Sequence, residues 1–109
     1  MREISAEDFA NLYREGLDGS EMILDVREPE EWEVYRLNGA KLMPLQTLPF
    51  TLNELPKDRK MYILCAHGIR SVYACNYLSE QGFDAVNVEG GMARVSLFLE
   101  EDEIASGNE

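Results

Sequence analysis

Residues 61–71 read Met61-Tyr62-Ile63-Leu64-Cys65-Ala66-His67-Gly68-Ile69-Arg70-Ser71, and this stretch decides the fold. Its first five residues are a continuous apolar run, the pattern of a strand buried on both faces. From Ser71 to Gln81 the pattern turns helical, and Gly82 then suits the left-handed position that ends a helix, with Phe83 able to pack back on Leu78. A buried strand passing through a short loop into a helix is half of a parallel βαβ unit.

The same alternation extends in both directions. Upstream, Ser5 is placed to cap a helix with Asp8 three residues on, and Phe9, Leu12 and Tyr13 fall on one face before Gly16 and Gly19 end it. Residues 22–26 form a second apolar strand, broken by Asp25. Pro29 fits a first helical turn, and residues 30–35 form a short helix with Trp32 as its apolar anchor. Asn38-Gly39 marks a turn before a brief strand at residues 40–43, and residues 46–55 fit one helix or two short turns around Pro49. Downstream, residues 85–88 make a last strand, closed by Gly90-Gly91, and residues 92–99 a closing helix. The expected fold is α/β, with a mostly parallel sheet covered by helices on both faces and its chemistry beyond the carboxyl ends of the strands. Cys65 stands at one such end.

The 109 residues suffice for one domain with its own core. We expect it to span residues 1–99, followed by an acidic, frayed tail at residues 100–109. The net charge of −11 argues against nucleic acid and against an anionic membrane surface, and suits a solvated acidic exterior or a basic protein partner. No apolar run is long enough to span a bilayer, and the start lacks the apolar core of a secretory leader, so a cytoplasmic location is expected. Cys65 and Cys75, with a single His, give no zinc pattern, and a disulfide is not expected in a reducing compartment.

The loop after Cys65 carries the chemistry. A chain wrapping from a strand end to a helix start turns several backbone N–H groups toward one spot, where they and the helix dipole attract an anion. Gly68 permits the curl, and Arg70 adds a forked cation. A thiol in that field is drawn toward its nucleophilic thiolate form. His67 either steers donor choice from the rim or is a solvated loop residue. Asp25 either anchors the loop through backbone N–H groups or pairs with Arg27. Cys75, beside Ala74 and Leu78 on the helix, reads as core packing.

With these residues in view, the chain resembles a single-domain rhodanese over nearly its whole length. CAHGIRS at residues 65–71 resembles the family's active-site loop. LDVREPEEW at residues 24–32 resembles its upstream strand and acidic helix, NGAKLMPL at residues 38–45 its short third strand, and NVEGGM at residues 87–92 its glycine pair. The resemblance implies a five-stranded sheet and a sulfurtransferase. Sulfane sulfur would pass from a donor such as thiosulfate or a persulfide to Cys65, and then to cyanide or to a thiol, which a protein can carry. It implies that Cys65 holds the sulfur, that the amides of Ala66, His67, Gly68, Ile69, Arg70 and Ser71 surround it, and that no metal or organic cofactor is needed. The chain departs from the family at Tyr35-Arg36-Leu37, where Gly-His-Ile is common, at Val95, where Trp is common, and at Trp32, where Phe is common. Cys-dependent phosphatases and arsenate reductases are the rival reading. The phosphatases set five residues between Cys and Arg, whereas this chain has four, Ala66 to Ile69. A third reading is a binding module that has lost the chemistry, although such domains usually lack the loop cysteine.

Overall fold

The expected alternation is realised in the computed structural model, which describes residues 1–106. In chain order the elements are β1 (Arg2–Ile4), α1 (Ala6–Glu15), β2 (Glu21–Asp25), α2 (Pro29–Val34), β3 (Tyr35–Leu37), β4 (Lys41–Leu42), α3 (Leu48–Thr51), β5 (Lys60–Leu64), α4 (Arg70–Glu80), β6 (Asp84–Val88), α5 (Gly91–Val95) and β7 (Ile104–Ser106). The main sheet has five strands in the order β1-β6-β5-β2-β4, and every pairing in it is parallel. β5, the strand that leads to Cys65, lies at its centre.

Side chains of β5 alternate between two cores, as the pleat requires. Met61, Ile63 and, one residue beyond the strand, Cys65 join Leu48, Ala74, Cys75 and Leu78 under α3 and α4. Tyr62 and Leu64 join Phe9, Ala10, Met92 and Val95 under α1 and α5. Both faces of the sheet are thus covered by helices. The local signals at the helix ends hold too. The Ser5 hydroxyl accepts from the Asp8 backbone N–H at 3.1 Å. At the end of α4, Gly82 N–H donates to the Ser79 carbonyl at 3.1 Å and Phe83 N–H to the Leu78 carbonyl at 3.0 Å, the paired bonds of a Schellman cap.

Several expectations are corrected. The stretch from Glu100 is folded as far as Ser106: β7 pairs antiparallel with β3, and Arg14 forks onto Glu103 at 2.9 and 2.8 Å. Tyr13 Oη also donates to the Glu103 carbonyl at 2.8 Å. The acidic run that suggested fraying is here a capped turn with a cation against it; Gly107, Asn108 and Glu109 lie outside the described residues. β1 was not anticipated, because its side chains give no apolar signal; backbone pairing with β6 and an Arg2–Asp84 bond of 2.7 Å hold it. Trp32 is only half-buried, with the Arg36 guanidinium 5.3 Å over its ring, and Leu37 is the residue that reaches the core. α5 stops at Val95, and a 3₁₀ turn, Ser96–Phe98, replaces the rest of the expected closing helix.

Candidate active site

Cys65 leaves the centre of the sheet at its carboxyl end, and residues 66–69 carry the chain to Arg70, the first residue of α4. The alternation along β5 turns the Cys65 side chain toward α4, where it is 1% exposed. Its Sγ accepts the Gly68 backbone N–H at 3.0 Å, and the thiol lies 3.3 Å from the hydroxyl of the buried Ser71. As a thiol it donates to that hydroxyl; as a thiolate it would accept from it.

The loop's direction is set from the other side by α5. Met92 N–H donates to the Cys65 carbonyl at 2.8 Å, and Ala93 N–H to the Ala66 carbonyl at 2.9 Å. In a trans peptide the N–H points opposite the carbonyl. Fixing those two carbonyls on α5 therefore turns the Ala66 and His67 amides away from α5. Gly68 makes the curl at φ +89°, pressed so close to Gly90 that a Cβ would lie 2.9 Å from its nitrogen. Of the remaining loop residues, His67 and Ile69 are exposed, and Ala66 is half-buried.

Arg70 is held by a partner that sequence reasoning missed. Its two terminal nitrogens meet the Glu31 carboxylate at 2.6 and 2.8 Å, a bidentate pair that ties α2 to the start of α4. Thirty-nine positions separate the two residues, and nothing local marks the contact. The Arg70 guanidinium draws the Glu31 carboxyl down to about 2, with the Glu28 backbone N–H adding to it against a partial burial cost. A carboxyl lowered in the fold stabilises it at pH values above the ordinary carboxylate range. That contribution is lost as pH falls through about 2, so the pair is intact at neutral pH.

Asp25 and Arg27 form a buried pair with contacts of 2.9, 3.0 and 3.1 Å. Asp25 also accepts the Arg27 backbone N–H at 3.0 Å, and Arg27 Nη2 reaches the Tyr35 carbonyl at 2.9 Å. Of the two roles open to Asp25, pairing with Arg27 is present. The backbone N–H it accepts belongs to Arg27 and not to residues 66–71. Cys75 is fully buried on α4, and burial pushes its thiol up, away from the reactive form. Replacing Cys75 by Ala should leave the protein's activity within about twofold and cost about 1 kcal/mol of stability. Parallel activity assays and thermal melts check this, and an activity loss matching that of a Cys65 variant would give the second thiol a chemical role.

A central parallel strand thus ends on a buried thiol that accepts a loop backbone N–H, in an α/β domain with helices on both faces of its sheet. Residues 5–97 match the family model of the Rhodanese-like domain, and the chain belongs to that family. It is 41% identical over 70 residues to the putative sulfurtransferase YtwF of Bacillus subtilis, covering 64% of this chain and 68% of that protein. A sulfurtransferase of Allochromatium vinosum is 38% identical over 72 residues, covering 65% and 67%. The crystal structure of a rhodanese-like domain protein from Staphylococcus aureus superposes with a TM-score of 0.80 at 38% identity, covering 93% of this chain and 94% of that one.

Proposed function

We propose that the protein is a sulfurtransferase that carries sulfane sulfur as a persulfide on Cys65. The observation that carries this reading is the Gly68 N–H held 3.0 Å from Sγ, in a loop whose Cys65 and Ala66 carbonyls are fixed on α5. The names of the two bacterial relatives support it. The Cys65 thiolate attacks the outer sulfur of the donor. A sulfur–sulfur bond forms as the donor's own bond breaks, and the leaving group, sulfite in the case of thiosulfate, departs with the electron pair. The amides of residues 66–71 stabilise negative charge on the outer sulfur, and Ser71 donates to the inner one. A thiolate or cyanide then takes the outer sulfur and returns Cys65 to its thiolate. Each step is a displacement at sulfur that consumes no oxidant. Arg70 serves here by holding the loop closed against α2. The four-residue gap between Cys65 and Arg70 makes a ring suited to one sulfur atom better than to a phosphate with its oxygens.

The test is intact mass after incubation with thiosulfate and, separately, with a protein persulfide. Loading should add one sulfur atom, removable by cyanide and mapped to Cys65. No added sulfur from either donor would reject the reading.

A further inference from the structure

Arg70, where the Cys65 loop enters α4, is a cation that is already spent. Both of its terminal nitrogens face Glu31, so it offers no free fork to an incoming sulfonate. The other cation close by, Arg27, is buried against Asp25. Glu28, held by Gln46 at 3.2 Å, caps α2 one turn before Glu31, and its charge reaches Arg70. Arg94 lies beyond Gly90 and shares its cleft with Glu7 and Glu89. Arg70 and Arg27 are each cancelled by a carboxylate, and Arg94, in no ion pair among the described residues, is outnumbered in its cleft by Glu7 and Glu89; with Glu28 and the thiolate added, the charges around the mouth sum to a negative field. Its rim is apolar: Ile69 and Tyr73, one turn apart on the outward side of the α4 start, are 68% and 67% exposed.

We propose that the mouth of the Cys65 loop selects cationic sulfur carriers over anionic ones, with Glu31 setting that choice by neutralising Arg70. The matching carrier is a thiol or persulfide flanked by lysines or arginines, whose heads meet Glu28 while their methylene stems lie on Ile69 and Tyr73. That the cargo is sulfur rests on the function proposed above; the charge preference is a property of the thiol mouth itself.

The experiment uses two reagents of opposite charge, 2-aminoethyl and 2-sulfonatoethyl methanethiosulfonate. In both, the thiolate attacks the sulfenyl sulfur, a disulfide forms, and methanesulfinate leaves with the electron pair. Rates at Cys65, mapped by peptide mass and each divided by the rate with free cysteine, give a cation-to-anion ratio. The ratio should be about tenfold in favour of the cation. Glu31→Gln keeps an acceptor for the Glu28 N–H but frees Arg70, and should lower the ratio about tenfold, chiefly by faster reaction of the anion. Arg70→Gln uncovers the Glu31 carboxylate and should raise it. The double variant should return toward the wild-type ratio, which disruption of the loop would not do. At about 1 M salt, where the screening length is about 3 Å, the ratios should converge. A wild-type ratio at or below one, or single variants that move the same way, would overturn the proposal. So would discharge of a loaded enzyme more quickly to a cysteine peptide flanked by glutamates than to one flanked by lysines. If no donor loads Cys65 while the reagent ratios behave as stated, the sulfur-transfer reading falls and the charge preference stands.

Discussion

Cys65→Ser is expected to reduce sulfur transfer by about 10³-fold or more, because a hydroxyl at neutral pH is a far weaker nucleophile than a thiolate and cannot form a persulfide. The fold should survive. Serine is slightly smaller than cysteine, and its oxygen can take over both contacts at the site, accepting the Gly68 N–H and exchanging a hydrogen bond with Ser71. A stability loss of about 1 kcal/mol is the expected scale, since a buried thiol becomes a buried hydroxyl whose hydrogen bonds are already provided. Cyanide trapping of transferred sulfur measures the activity, and a thermal melt measures the fold. If the variant kept most of its activity with an unchanged melt, Cys65 would not be the sulfur carrier. The only other thiol, Cys75, is packed among Ala74, Leu78 and Phe83, where no donor reaches it without unfolding α4.

How much of this was legible in the sequence follows from the separation of the interacting parts. Residues 61–71 are contiguous, so the strand, the thiol, the curling glycine and the helix start could all be read together. The Schellman end of α4 was legible for the same reason, since Leu78, Gly82 and Phe83 are neighbours. What the sequence hid lies between distant segments. Glu31 belongs to a short acidic helix that looks like surface until Arg70 is brought against it. β1 and β7 are three residues each and carry no apolar alternation; both exist because a backbone edge elsewhere in the chain accepts them. Glu103 sits in a run of like charge whose repulsion suggests fraying, and only the fold supplies the Arg14 that reverses the sign of that judgement. Gly91 was visible as one of a glycine pair, but what it has to avoid was not.

That constraint gives the second large effect. Gly91→Ala should destabilise the protein by about 3 kcal/mol and remove most of the sulfur-transfer activity, although residue 91 never touches the thiol. Gly91 opens α5 at φ +60°, a conformation that an L side chain adopts at a cost of about 1–2 kcal/mol. Space is the larger problem. A Cβ there would lie 2.4 Å from the Cys65 carbonyl oxygen and 2.8 Å from the Ala66 carbonyl carbon. Both are backbone atoms, so no rotamer change relieves the clash; either α5 or the loop has to move. These same carbonyls accept from Met92 and Ala93, the bonds that fix the loop's first two peptides on α5. Pushing the loop off α5 therefore loosens the cradle as well as the fold, and activity should fall by more than the unfolded fraction explains. Gly39→Ala separates the two contributions. It has a similar backbone angle, φ +80°, but no atom within 4 Å of the added carbon, so it should lose only about 1 kcal/mol and keep its activity. Denaturant unfolding and sulfur-transfer rates on both variants, at a temperature where each is fully folded, make the comparison. Equal stability losses would mean that α5 yields to the extra methyl and leaves the carbonyls of Cys65 and Ala66 where they are.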